Sequence, residues 1–312
     1  IGFENKSYDE SDYAKLVAGH IGTEHHTQVL TSQHALELMD EIYAFIDEPF
    51  ADASLIPTYF LSKFTRQHVK VALGGDGSDE LLAGYPTFIS DKFKKPFSSL
   101  SPALINIFLK LANTTLPASD KNISFDFKVK QYLRGFLSKK HHIHQLWLGS
   151  FTPDEKERLF QPDVYASLQE QSGLSIIDYH FEHTEKSWTD FDKITYYYYQ
   201  TYLLDDMLVK VDRASMYHSL EVRAPFLDRT VVEFANQLPQ KFKQKGLNGK
   251  YILKKVMENK LPGEIIHRPK KGFGIPLSDW IRKDMKNEIE RVLFKEDPYF
   301  NQAYIKKLVH DH

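Results

Sequence analysis

The chain has 312 residues with 42% apolar content, enough for one large domain or two smaller ones and too apolar for disorder. Lys plus Arg at 40 against Asp plus Glu at 42 leave a net charge of -2, which excludes the strongly basic footprint of a nucleic-acid binder and makes any phosphate site local. The absence of cysteine excludes disulfides, thiolate zinc sites and every cysteine nucleophile.

In chain order, Ile1–Phe3 is an apolar triplet that reads as the end of a strand. No initiator Met precedes it, so the natural sequence is expected to begin upstream. Ser7 and Glu10 stand at capping-box spacing before Tyr13, Leu16, Val17 and Ile21 at helical period, with Gly22 as the stop. HHTQVL closes on a short strand, HALELMDEIYAFI and IPTYFLSKF read as helices, and VKVALGG reads as a strand. This β-α-β-α-β alternation over residues 1–93 predicts an α/β fold. It is a parallel sheet of buried, Val-rich strands with helices on both faces, binding ligands beyond the carboxyl ends of its strands. Residues 94–187 lose the strand signals and read as a helical lobe, and residues 188–312 read as a mostly helical C-terminal part. No secretory start and no apolar run near the roughly 18 residues of a membrane span occur, so the expected location is the cytoplasm.

VALGGDGSDELLAGY lies at a strand's carboxyl end, where a nucleotide is expected, yet it carries Asp76, Asp79 and Glu80. Gly74, Gly75 and Gly77 allow close backbone approach, and Ser78 is placed to cap the following helix. No Gly-Lys-Ser/Thr ending makes it a Walker loop, and Glu80 stands where a dinucleotide fingerprint has its third Gly. Two carboxylates beside phosphates are consistent if Mg²⁺ stands between acid and phosphate, with Asp79 as its ligand and Asp76 facing the cationic or tetrahedral part of a substrate. The alternative is that both acids only satisfy the helix dipole.

HRPKKGFG sets Arg268, Lys270 and Lys271 beside two glycines, as an anion-binding loop or as a solvated basic loop. In DDMLVKVDRAS, Asp206, Lys210 and Arg213 share a helix face and are either functional or an ion-paired stripe. Glu221 and Arg223, flanked by apolar residues, read as partly buried structural groups. The pairs His25-His26 and His141-His142 are adjacent, so their side chains are expected to diverge without sharing a metal. YYYYQTYLL reads as a helix that turns its tyrosines to the core and beyond.

Four stretches in order, IGFENKSYDESDYAKLVAGHIGTEHHTQVL, VALGGDGSDELLAGY, DDMLVKVDRASMYHSLEVRAPFLD and HRPKKGFGIPLSDW, resemble the synthetase domain of glutamine-dependent asparagine synthetases across nearly the whole chain. The resemblance implies an adenine nucleotide α-hydrolase-like fold in which ATP adenylates a carboxylate, pyrophosphate leaves, and ammonia displaces AMP to form an amide. It implies Asp79 on Mg²⁺, Asp76 at the activated substrate, Gly74 and Gly75 lining the nucleotide pocket, Ile1 on the adenine side and Lys270 at the departing pyrophosphate. Aspartate is the expected substrate, an N-terminal glutaminase domain the expected ammonia source, and a homodimer a further implied partner. Sugar or peptide carboxylates, a non-catalytic module of the same fold and a nucleotide sensor are the alternatives. The sequence departs from the family's pattern in three ways. The Ser-Gly-Gly-Leu-Asp-Ser pyrophosphate loop expected before Ile1 is not in it, nor is the cysteine-dependent glutaminase half, and position 74 is Gly where many relatives have Ser.

Overall fold

The predicted alternation is realised in the first ninety residues of a computed structural model that describes residues 1–117, 119, 121–168 and 173–311. Strand β1 (Gly2–Phe3) leads to helix α1 (Ser11–Ile21), β2 (Val29–Leu30), α2 (Ser32–Phe45), α3 (Leu55–Arg66) and β3 (Val71–Leu73). β1 pairs with β2 in parallel, Gly2 opposite Val29. β3 pairs in parallel with β4 (Glu221–Arg223), Val71 opposite Glu221, far along the chain. The parallel α/β reading holds, but the expected buried strands do not all form: Val71 and Leu73 are 45% and 74% exposed. Two separate two-stranded ladders leave outer edges that one continuous sheet would cover.

The chain divides into two units, Ile1–Ile89 with Thr189–Pro276, and Ser90–Trp188 with Leu277–His312. In the first, α1 starts later than its sequence suggested. Ser7 Oγ donates to Asn5 Oδ1 at 3.0 Å, while Asp9 Oδ1 accepts from Ser11 N at 3.2 Å and Ser11 Oγ at 2.6 Å, so the expected Ser7–Glu10 box gives way to a turn held by Asp9. Gly22 ends α1 as expected, at φ 71° with its N–H on Ala18 O. Thr31 caps α2 through His34 N at 3.2 Å. Leu30, Ala35, Ile42 and Tyr59 are buried between these elements, and Tyr59 stacks on Phe45 with centroids 5.4 Å apart. The tyrosine run behaves as predicted, with Tyr197 and Tyr198 buried in the core. It then continues as a π-helix from Tyr199 to Leu208 before α-helical geometry resumes at Val209.

The second unit is helical around Ile105, Leu133, Phe136, Ile143 and Trp147. Gln131 Nε2 donates to the carbonyls of Leu146 and Trp147, each at 2.9 Å, and of Gly149 at 3.0 Å, closing the end of the helix Ile143–Leu148. The expectation that His141 and His142 diverge is corrected here. Both rings turn to one oxygen of Asp178, Oδ1, which His142 Nε2 meets at 2.7 Å. Adjacency fixes only the Cα–Cβ directions, and an acceptor on a different helix draws both rings to one point. No helix among the described residues is long and apolar enough to cross a membrane.

Candidate active site

The acidic glycine loop follows β3, so its geometry begins with the backbone. Gly77 takes φ 85° and precedes the four-residue helix Ser78–Leu81. A Cβ there would stand 2.2 Å from Leu227 Cδ2, so both the conformation and the packing require glycine. The expected Ser78 cap does not form; Ser78 Oγ instead accepts a hydrogen bond from Lys250 Nζ at 2.8 Å. Gly84 N donates to Asp79 O and Lys250 N to Leu82 O, each at 2.8 Å, folding the segment onto Lys250. Ala83 and Lys250, at φ 53° and 52°, occupy the left-handed region without being glycine. Such positions cost about 1–3 kcal/mol each and persist where the surroundings fix them.

This framework holds the Asp79 carboxylate between two lysines. Lys250 Nζ lies 3.0 Å from Oδ1 and Lys270 Nζ 3.0 Å from Oδ2. Burial by itself raises the Asp79 pKa, but Lys250 and Lys270 together outweigh it and hold the carboxyl below its ordinary range. Burial lowers the Lys250 pKa, with Asp79 opposing. Oδ1 is buried and ion-paired with Lys250, and no well-formed hydrogen bond reaches it. Glu80 points the other way: it is 2% exposed and accepts from Tyr85 Oη at 2.6 Å, while burial raises its pKa. Lys270 Nζ stands 6.0 Å from the Tyr85 ring centroid.

A second charged cluster surrounds Lys210, which is 3% exposed and donates to Asp52 Oδ2 at 2.5 Å and Ser54 Oγ at 2.8 Å. Arg213 pairs with Asp47 at 2.7 Å and Glu48 at 3.3 Å. The stripe reading of Asp206, Lys210 and Arg213 is therefore corrected. The π-helix changes the register between Asp206 and Lys210, and the partners come from the segment 47–52. Burial, together with Asp52, pushes the Asp206 pKa up to about 6 against the pull of Lys210, and Asp206 Oδ1 is buried without a hydrogen bond. Burial also raises the pKa of Asp76, and Lys210 again opposes. One buried lysine thus biases three carboxylates.

The structure brings Asp79 and Lys270 together, and places Asp76 in the field of Lys210. Gly74 donates to Arg223 O at 2.8 Å, and a Cβ on it would stand 2.7 Å from Asp76 Oδ2; Gly75 has open space where its Cβ would be. Ile1 immediately precedes β1 of the other ladder, and the bonds uniting Asp79 with Lys270 do not extend to it. Arg268 is taken up elsewhere, bonded to Glu10 with its guanidinium 5.1 Å from the Tyr13 ring centroid. Glu221 and Arg223 pair with each other at 2.7 Å and are exposed, because β4 lies at a ladder edge. Sequence reasoning missed Lys250, Asp52 and Ser54. For Lys250 a signal existed: Gly249-Lys250 immediately precedes the apolar helical run YILKKVM, and lysine occupies a cap position that favours Ser, Thr, Asp or Asn.

The family model for asparagine synthase matches residues 1–312. The chain belongs to the asparagine synthase family. Asparagine synthetase 1 (glutamine-hydrolyzing) of Bacillus subtilis (strain 168) is 28% identical over 100% of the chain and 48% of its own length. A putative glutamine-hydrolyzing asparagine synthetase of Mycobacterium tuberculosis (strain H37Rv) is 30% identical over 90% of the chain and 41% of its own length. Amidase chyE of Penicillium rubens is 23% identical over 94% of the chain and 45% of its own length. The chain thus spans less than half the length of these relatives.

Proposed function

We propose that the chain is the synthetase part of an ATP-dependent ligase that converts aspartate to asparagine through an acyl-adenylate, with ammonia released from glutamine by a partner domain. The observation that carries this reading is Asp79, an ionised carboxylate gripped by Lys250 and Lys270 just beyond the carboxyl end of β3. Its buried Oδ1, which receives no hydrogen bond, fits the hard oxygen donor that Mg²⁺ takes alongside phosphate oxygens. When bound, Mg²⁺ supplies neutralisation of the triphosphate charge.

The two lysines divide the work according to their anchoring. Lys250 holds both Asp79 and Ser78 and keeps the carboxylate aimed. Lys270, exposed and held at Asp79 by one contact, turns to the β and γ phosphates when nucleotide arrives. A carboxylate oxygen of the substrate bonds the α-phosphorus, the bond to the pyrophosphate oxygen breaks, and Lys270 stabilises the charge on the departing group. The ammonia lone pair then bonds the acyl carbon, the C–O bond to AMP breaks, and Asp76 accepts the proton that nitrogen sheds. The elevated pKa of Asp76 suits it to that step. Gly75, with open space at its Cβ position, leaves room for nucleotide to approach the backbone beside Gly74, and Ile1 lies on the adenine side.

The Penicillium rubens relative, similar over 94% of the chain, carries a name other than asparagine synthetase, which favours a second reading, the same chemistry on another carboxylate. Supplying the whole protein with ATP, Mg²⁺, ammonia and either aspartate or a sugar or peptide acid separates the two. Aspartate-dependent release of pyrophosphate and AMP is expected. Release that follows only another acid moves the assignment to the second reading, and no release with any acid overturns the ligase assignment.

A further inference from the structure

We propose that His141, His142 and Asp178 form a binding site for Zn²⁺, or a first-row divalent ion of similar preference, in the second unit. The inference is independent of the ligase reading, since none of these residues takes part in it. His141 and His142 close the short 3₁₀ turn Lys140–His142, and Asp178 lies on the helix Gly173–Glu182. Their ligand atoms, two imidazole nitrogens and a carboxylate oxygen, all lie within 4.8 Å of one another. Two imidazoles with one carboxylate select zinc-type ions over Mg²⁺, and three protein ligands leave a fourth position for water.

The surrounding hydrogen bonds are those that a metal site needs. Ser138 Oγ lies 2.9 Å from His142 Nδ1, fixing that ring with Nε2 facing inward. Lys139 Nζ donates to Asp178 Oδ2 at 3.0 Å, which occupies the outer carboxylate oxygen and leaves Oδ1 facing the histidines. Metal-bound histidines and carboxylates depend on such outer partners for orientation. Without an ion, both Nε2 atoms must carry protons, because an ionised carboxylate oxygen only accepts. Binding moves the His142 proton to Nδ1, from which it donates to Ser138 Oγ, and the His141 proton moves to Nδ1 in the same way.

Tetrahedral bonds of about 2.0–2.1 Å separate ligand atoms by about 3.3 Å, so Asp178 Oδ1 must draw back about half an ångström from His142 Nε2, now at 2.7 Å, and about twice as far from His141 Nε2, the closer of the two. The His142 side chain is 4% exposed, whereas those of His141 and Asp178 are 31% and 29% exposed, giving the ion a way in and room for the fourth ligand. The bound ion would fasten the turn to the helix.

The test is a Co²⁺ titration of the tag-free, chelator-treated whole protein, read by the visible absorption of tetrahedral cobalt and followed by Zn²⁺ competition. One Co²⁺ per chain is expected, displaced by Zn²⁺ and unaffected by excess Mg²⁺. His141→Ala and Asp178→Asn, both at partly exposed positions, should lose the signal with unchanged far-ultraviolet circular dichroism, and Ser138→Ala should weaken binding about 10–100-fold. If one ligand variant fails to fold, the other decides. Absence of cobalt absorption in the wild type, or unchanged binding in a folded ligand variant, overturns the proposal.

Discussion

Replacing each of the two lysines on Asp79 separates a structural cation from a working one. Lys250→Met removes the partner of Asp79 Oδ1 and the donor to Ser78 Oγ at once. Breaking a fully buried pair costs about 3–5 kcal/mol. Here Asp79 keeps Lys270, and the side chains of Lys250 and Asp79 retain 22% and 17% exposure. The expected loss is therefore smaller, about 1–3 kcal/mol, or roughly 1 M in the urea midpoint. Lys270→Ala removes one contact from a side chain that is 42% exposed, so its loss should be about 0.2–1 kcal/mol. Pyrophosphate release should respond in the opposite order of selectivity. Lys270→Ala should lower it by roughly 10²–10³-fold in a protein of near wild-type stability, whereas Lys250→Met should lower stability and activity together. Urea denaturation followed by circular dichroism, beside a pyrophosphate assay, measures both. A Lys270→Ala protein with full activity, or a Lys250→Met protein as stable as wild type, would refute the division of roles.

Folding raises the Asp206 pKa from 3.8 to about 6, so the stability this group contributes is fully present below pH 3.8 and is lost as pH rises through 6. Asp206→Asn should abolish that dependence and exceed wild type by about 1 kcal/mol at pH 7 after allowance for partial exposure, as urea midpoints across pH 4–7 will show. Asp76→Asn should preserve aspartate-dependent exchange of pyrophosphate into ATP while slowing amide formation. In the wild type, the acid limb of the amide-forming step should lie above the ordinary carboxylate range, because burial raises the Asp76 pKa. Gly84→Ala would place a Cβ 2.0 Å from Asp79 Oδ1 and 2.3 Å from Lys250 Cε and should cost about 1–3 kcal/mol. Gly75→Ala meets nothing within 4 Å and should leave the urea midpoint unchanged.

The helices and parallel strands of the first ninety residues were legible because hydrophobic period is a local property, and Gly22 stops α1 as its position suggested. β4 was not legible, since three residues with a charge at each end carry no strand signal until β3 lies beside them. The Ser7–Glu10 box failed by competition: Asp9, two residues before Ser11, offers a stronger acceptor than a serine hydroxyl. At the candidate site, both motifs that meet, Asp79 and Lys270, were visible as opposite charges beside glycines. Lys210 with Asp52 was not, because that contact joins residues 158 apart and depends on a π-helix that no propensity encodes. Asp178 was invisible for the same reason: a shared acceptor is a tertiary fact that two adjacent histidines cannot announce.

The central claim is that Asp79 joins a divalent cation to the triphosphate. Its most direct test is ATP-dependent Mn²⁺ binding to the whole protein, measured by water-proton relaxation for wild type and Asp79→Asn in a His141→Ala background that removes the second cation site proposed above. The account predicts an ATP-dependent Mn²⁺ site in the wild-type residue set that weakens at least about tenfold in Asp79→Asn, a loss of about 1.4 kcal/mol. Equal ATP-dependent Mn²⁺ affinity in both proteins would contradict it.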